Sequence, residues 1–456
     1  MKRIARFALV SLVLAGCDGN ISESDPVVLG GDAQLRELIT RQWGIVPIGE
    51  MPAQNPALVE LGRALFFDKI LSGNRDIACS SCHQPSAALG DGLALAVGTG
   101  AVGTGAARKP GPGRAFVMRQ SPTLLNSGLG LTYMFWDGRL TRFGQEVFGN
   151  EPRILPNPPS PSGFGNPLIG QVMLTVLNRR EMRGVAGDVD VQGNANELAQ
   201  IADNQPTAVW QAIMNRLLAI PEYVQLFNAA FPSKPTAALV FEDAALALAT
   251  FQMQAFTRTN SPFDRFLNRE DAALNPEQKR GARLFFGKAQ CSSCHGGPFL
   301  GANAFTNIGV PQIGPGGARQ SPLDLGRGEV QPHDGARFHF RVAPLRNVEL
   351  TAPYMHNGAY RTLEAVVDHY TNAARALRTY DVSQLSPELR QLYHGDEATI
   401  SAVLQTLDFR LRRPIELTDA EKAELVAFLK SLTDPAARDL RAVAPARVPS
   451  GLPIDV

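Results

Sequence analysis

The chain of 456 residues has little cysteine, tryptophan or histidine: five, three and seven residues respectively. Five cysteines in a chain this long exclude a disulfide-stapled scaffold, which needs much denser pairing. Charge of one sign is missing too, because 44 Lys and Arg nearly cancel 43 Asp and Glu, for a formal net charge of +1. No global field therefore points to nucleic acid as a partner. The apolar run from Phe7 to Ala15 is too short to cross a bilayer, and no other segment reaches that length. What remains is enough chain for two or three domains with cores of their own.

Four of the scarce cysteines are placed with care. Cys79-Ser80-Ser81-Cys82-His83 and Cys291-Ser292-Ser293-Cys294-His295 are two copies of CxxCH, the attachment signature of c-type haem. Two thiols at this spacing can add across the two vinyl groups of one haem, and the adjoining His is then held beneath the iron. CxxC also serves zinc sites and redox dithiols. The His after each pair, and the long separation of the pairs, favour two covalently bound haems.

The fifth cysteine belongs to the start of the chain. Met1-Lys2-Arg3-Ile4-Ala5-Arg6, the short apolar run and Gly16 read as an export signal over residues 1–16. Leu14-Ala15-Gly16-Cys17 resembles the bacterial lipobox, so cleavage would leave a lipidated Cys17; the alternative is a plain signal that discards it. Several acyl chains give stable anchoring where one does not. Asp18 resembles an inner-membrane retention signal. The expectation is a periplasmic body on a lipid anchor, favouring the inner membrane, with residues 17–50 as a tether and no other membrane contact.

The chain also repeats itself. Leu61-Gly62-Arg63-Ala64-Leu65-Phe66-Phe67 precedes the first CxxCH, and Arg280-Gly281-Ala282-Arg283-Leu284-Phe285-Phe286 precedes the second. Ser121-Pro122-Thr123-Leu124-Leu125-Asn126 leads to Trp136-Asp137-Gly138, and Ala343-Pro344-Leu345-Arg346-Asn347 leads to His356-Asn357-Gly358. Matched features at nearly one spacing read as a duplicated domain, each copy with one haem. The expected fold is mostly α: two cytochrome c-like haem domains, residues 51–265 and 266–440, packed together, then a tail over 441–456. Leu58, Leu61 and Leu65 share a helical face, and Asn275-Pro276 opens a helix. Thr418-Asp419-Ala420-Glu421 is a capping box ahead of Leu425, Phe428, Leu429 and Leu432. The Gly-rich tandem 96–105 and the Pro-rich segment 156–167 read as loop insertions.

With these motifs in hand the chain resembles the bacterial di-haem cytochrome c peroxidase / MauG family. The match runs through both CxxCH motifs, Phe135–Arg139, Arg180–Gly184 and Leu345–Gly358, roughly residues 55 to 435. The resemblance implies that the N-terminal haem reacts with peroxide and that the C-terminal haem exchanges electrons with it. By residues alone, His83 is the one His before His295, so the N-terminal half has no second imidazole to block its iron; Met118, Met134, Met173 and Met182 remain conceivable ligands. By resemblance, Glu181 matches the family's distal Glu and Gln171 its distal Gln, although Thr175 stands where a Pro is usual. Read alone, Glu181 between Arg180 and Arg183 is a surface ion pair. Trp136 matches the tryptophan between the haems.

For the second iron, His295 is proximal, while Met355, His356 and His369 are plausible sixth ligands on chemistry alone. The family's ligand position falls on Tyr370, a Met in the classical peroxidases and a Tyr in the MauG branch. The family's calcium ion would take oxygens from Thr351, Pro353 and Gln120, the last where an Asn is usual. The leading expectation is reduction of hydrogen peroxide with electrons from a small periplasmic cytochrome c or cupredoxin. The alternatives are MauG-like oxidation of a partner protein or organic substrate, and a non-catalytic di-haem electron carrier.

Overall fold

The computed structural model describes residues 31–141, 143–145, 166–301, 304–317 and 321–455. The export signal, Cys17 and most of the Pro-rich segment lie outside the described residues. Helices and short 3-10 turns dominate, and the strands are two-residue pairs. Among the described residues no helix is long and apolar enough to cross a membrane.

Two large cores organise the chain. The first is built on helix α1 (Pro56–Phe67), α2 (Pro167–Thr175), α3 (Pro206–Leu218) and α4 (Phe241–Phe256). Leu61 and Leu65 are fully buried and Leu58 packs against them, as their shared face predicts. The second core joins α5 (Pro276–Phe286), α6 (Leu363–Thr371) and α7 (Asp419–Ser431). The α7 capping box forms as read: Thr418 Oγ1 accepts from Glu421 N (3.2 Å) and Glu421 Oε2 accepts from Thr418 N (2.8 Å). Leu425, Phe428, Leu429 and Leu432 are buried behind it.

The glycines shared by the two repeats have one physical cause. A β-carbon on Gly62 would lie 2.7 Å from Phe251 Cβ, where α1 crosses α4; one on Gly281 would lie 2.8 Å from Phe428 Cβ, where α5 crosses α7. Carbon atoms need roughly 3.5–4.0 Å, so each crossing admits only glycine. Further along, paired positions adopt the same left-handed backbone: Leu89 and Leu300 (φ 62° and 55°), Asn126 and Asn347 (61° and 65°), Phe135 and Met355 (64° and 73°), Gly138 and Gly358 (65° and 63°).

The termini depart from expectation. Residues assigned to the tether are packed: Leu35, Ile39 and Ile45 are fully buried in the second core. The tail is packed as well, but on the opposite core. Val448 is buried against the first, with Val443, Ala444, Leu452 and Ile454 packed beside it, and Ala437 and Leu440 just before the tail join the same core. Ser450 Oγ donates to Asp68 Oδ1 (2.6 Å), Lys69 Nζ pairs with Asp455 (2.8 Å), and Ser81 of the first motif donates to Asp455. Apolar side chains in both segments gain more from burial than a free tether or tail would allow. Each terminus thus straps the half that lies farther along the chain from it.

Candidate functional site: two attachment motifs and the space between them

Both CxxCH motifs fold into single turns, Cys79–Cys82 as one turn of α-helix and Cys291–Ser293 as 3-10. Each His is aimed the same way. His83 Nδ1 lies 2.9 Å from the carbonyl of Leu89, and His295 Nδ1 lies 2.9 Å from that of Leu300. A carbonyl only accepts, so Nδ1 carries the proton in both rings and Nε2 presents its lone pair, the tautomer an iron ligand needs. The left-handed turns at Leu89 and Leu300 bring those carbonyls round. Burial lowers each imidazole to about 4, keeping it neutral. Burial also pushes the Cys79 thiol up to about 12 and Cys82 to about 11. No three His, Cys, Asp or Glu side chains converge as a zinc site requires among the described residues.

Around the first motif, Glu181 is held inward. It is half-buried, and burial raises its carboxyl above the ordinary range against the pull of Arg139 and Arg119. Asn178 caps the turn Arg179–Arg183 and donates Nδ2 to Glu181 Oε1 (2.6 Å). The surface ion pair that the flanking arginines suggested does not form. Arg180 is exposed, and buried Arg183 goes to Asp203 (2.8 Å) and Leu198 O (2.9 Å). The Gly-rich tandem is not a mere insertion either. A β-carbon on Gly98 would fall 2.7 Å from Glu181 Cα, and Thr99 N donates to Glu181 O (2.8 Å), so this loop clamps the Glu181 backbone. Gln171 lies on α2 with its Oε1 buried and without a partner.

Arg108 and Asp91 escaped sequence reading. Arg108 is 6 % exposed and wraps the first motif, donating to Ser81 O (2.9 Å) and Val97 O, with Cys82 Sγ at 3.4 Å. Asp91 is 1 % exposed and its Oδ2 has no partner; burial pushes its carboxyl up to about 6. Neither stands in a motif. The Asp91-Gly92 turn, eight positions after His83, was the one signal available.

A large apolar cavity is lined by Cys291, Cys294, His295 and Tyr370 of the second half and by Asp91, Gln120 and Trp136 of the first. Trp136 Nε1 donates to Gln120 O (3.0 Å), and Gln120 N donates to His356 O (2.8 Å), linking the two halves. Buried Arg119 adds a second link, donating to Asp324 (2.7 and 2.8 Å) and to Asp137 (2.7 Å).

The four candidates for the second sixth ligand separate. His369 has both ring nitrogens engaged, Nδ1 with Tyr360 OH (2.9 Å) and Nε2 with Ile308 O (2.7 Å), so it has no lone pair to give. Met355, His356 and Tyr370 line the cavity. His356 stacks on Phe340 at 3.6 Å, and its Nε2 is buried without a partner. Burial, with Cys294 and Cys291 nearby, holds the Tyr370 phenol well above its ordinary range. Of the expected calcium ligands, Gln120 meets Pro353 O directly, but through its amide nitrogen, and all three line the same cavity.

Neutral imidazoles and paired thiols suit covalently held haem at both motifs, with an apolar cavity at the second and unpartnered buried Asp91 and Gln171 oxygens in the first half. These features define a c-type haem protein with two attachment sites. The profile of the di-haem cytochrome c peroxidase family matches residues 56–272. The chain is 30% identical over 396 residues to the methylamine utilization protein MauG of Methylorubrum extorquens, covering 86% of this chain and 83% of that one. It is 30% identical over 337 residues to the cytochrome c551 peroxidase of Pseudomonas aeruginosa, covering 73% and 78%. A crystal structure of a MauG-like protein associated with microbial copper homeostasis superposes with a TM-score of 0.55 at 26% identity, covering 87% of this chain and 95% of that one. The chain belongs to the di-haem cytochrome c peroxidase family and is an oxidoreductase of that class.

Proposed function

We propose that the protein reduces hydrogen peroxide to water in the periplasm, drawing two electrons per peroxide from a small cytochrome c or cupredoxin. The supporting observation is Glu181, a shielded carboxyl beside the first attachment motif with a raised proton affinity and a fixed donor on one oxygen. Haem held by Cys79, Cys82 and His83 would supply the iron chemistry that splits peroxide. Glu181 accepts the proton of the inner peroxide oxygen and returns it to the outer one, as base and then acid. Asn178 holds the carboxyl in one orientation during both transfers. Gln171, with its unpartnered oxygen, orients the outer oxygen. Trp136, hydrogen-bonded to the Gln120 backbone, relays electrons from the second half, where His295 and Tyr370 would hold the haem iron.

The same reading takes the matched left-handed turns and helix crossings as marks of two duplicated haem domains. It keeps Gln120, Thr351 and Pro353 as the residues that would hold a calcium ion between them, which would require the Gln120 amide to turn its oxygen inward in place of the nitrogen it now gives Pro353 O. It keeps the lipid anchor at Cys17. Tyr370 favours a second, MauG-like reading. A phenolate stabilises ferric iron where Met would raise the potential, which suits holding oxidising equivalents for a partner protein or organic substrate. A plain electron carrier has no use for a protonatable carboxyl at the first motif. Steady-state turnover tests the reading: two equivalents of reduced donor are oxidised per peroxide, and peroxide that is neither consumed nor linked to donor oxidation overturns it.

A further inference from the structure

An unbroken run of aromatic rings leads away from Tyr370 at the second site. Tyr370, which lines the cavity, has its ring centroid 5.8 Å from that of His369. His369 is 5.2 Å from Tyr360, Tyr360 is 5.7 Å from Tyr380, and Tyr380 is 5.6 Å from Tyr393. Four of the seven tyrosines in the chain thus stand in one file. The file runs from a buried histidine, 1 % exposed, to partly exposed Tyr380 and Tyr393. All spacings lie within the range of rings in direct contact.

The middle of the run has a further property. His369 Nε2 is 2.7 Å from the Ile308 carbonyl and must donate to it, so Nδ1 is the bare nitrogen. That nitrogen lies 2.9 Å from Tyr360 OH and accepts its hydrogen. Tyr360 is therefore a phenol with a proton acceptor already in place. Tyr380 has no such base, because its hydroxyl donates to the Ala359 carbonyl (2.6 Å), which cannot take a proton away. Packing alone would explain the rings, but not a buried Tyr–His hydrogen bond whose polarity is fixed from the far side of the imidazole.

We infer that the run Tyr370–His369–Tyr360–Tyr380–Tyr393 is an electron path between the second site and the surface, with Tyr360 as a redox-active tyrosine. The inference rests on the peroxide reading, since hydrogen peroxide is the oxidant. One electron leaves Tyr360 toward Tyr370, and the phenolic proton moves along the existing hydrogen bond to His369 Nδ1. A neutral tyrosyl radical faces an imidazolium, and the removed electron is one of the two that convert peroxide and two protons to two waters. A second electron passing inward from Tyr393 through Tyr380 restores Tyr360, with the proton returning from His369. An exposed reductant or an oxidisable group on a partner is thus served at Tyr393 without entering the cavity.

The test is rapid freeze-quench EPR of the ferric holoprotein mixed with one equivalent of hydrogen peroxide and no reductant, in wild type, Y360F and H369Q. The expected result is a tyrosyl signal that changes with ring-deuterated tyrosine, vanishes in Y360F and weakens in H369Q. Haem content and the optical reaction with peroxide should stay intact in both variants. Y393F, at the outer end, should keep the radical and slow its quenching by an added phenol. A haem that reacts while no tyrosyl signal forms overturns the inference, as does a signal that survives in Y360F; either result leaves the peroxide reading standing. A haem that stays silent to peroxide overturns the peroxide reading and the inference together.

Discussion

Glu181→Gln separates chemistry from architecture. Asn178 Nδ2 donates to Glu181 Oε1, and a glutamine oxygen at that position accepts the same bond. The side chain keeps its length, and the Gly98–Thr99 clamp holds backbone only. What disappears is the ability to take and return a proton, worth about 10²–10⁴ in rate, or roughly 3–5 kcal/mol of barrier. Stability should move the other way. Burial raises the carboxyl in the folded state above its ordinary 4.5, so the folded protein holds that proton to higher pH than the unfolded chain. Wild type therefore loses stability as pH rises through and above 4.5, and the variant does not. Single-turnover stopped flow with peroxide reads the rate, and melting at acidic and neutral pH reads the stability. E181Q should be slow yet melt higher than wild type at neutral pH, with the two melts converging in acid. A single-turnover rate that survives the substitution would refute the proton-transfer role.

Four further outcomes follow from the packing. Gly281→Ala places a methyl against Phe428 and the backbone of α7, so denaturant melts should show a loss of about 1–3 kcal/mol. Arg119→Met strands the buried carboxylate of Asp324 and leaves Asp137 with Arg139 alone, and should cost about 3–5 kcal/mol in the same assay. Because Arg119 holds Asp324, and Arg139 with Arg119 holds Asp137, below the usual carboxylate range, the stability these pairs confer is present above the unfolded value of 3.8 and fades as pH falls below it. Truncation after Ala446 removes Val448, Ser450 and Asp455 from the first half; calorimetry should show that half melting earlier. Tyr370→Phe should change the ferric optical spectrum of the second haem while leaving the first haem's reaction with peroxide in place.

Much of this was legible because the decisive signals are short and local. CxxCH fixes a turn and a ligand in five residues, and the Thr418–Glu421 box fixes the start of a helix in four. The repeated Gly62 and Gly281 were visible as letters, but their reason, a helix crossing with Ala247–Phe251 or Glu424–Phe428, joins segments far apart in the chain. The termini failed for the same reason. Leu35 and Ile39 have helical spacing over so short a stretch, with Ile45 beyond its end, that only the second core shows where the three go. Glu181 illustrates the limit at the site. Arg180 and Arg183 are its neighbours in sequence, yet Asn178 and the loop at Gly98 are its neighbours in space. Arg108 and Asp91 carry no motif at all, and only burial with unmatched or backbone-directed polarity marks them.

We propose that the first iron is open to peroxide, with Glu181 beside it, and that Tyr370 closes the second. One measurement tests this most directly: optical and EPR spectra of the fully ferric protein before and after one equivalent of hydrogen peroxide, with no reductant present. The account predicts one high-spin and one low-spin haem at rest and an immediate spectral change on mixing. Two low-spin haems that ignore peroxide until the protein is half-reduced, or a methionine-to-iron charge-transfer band from the second haem, would contradict it.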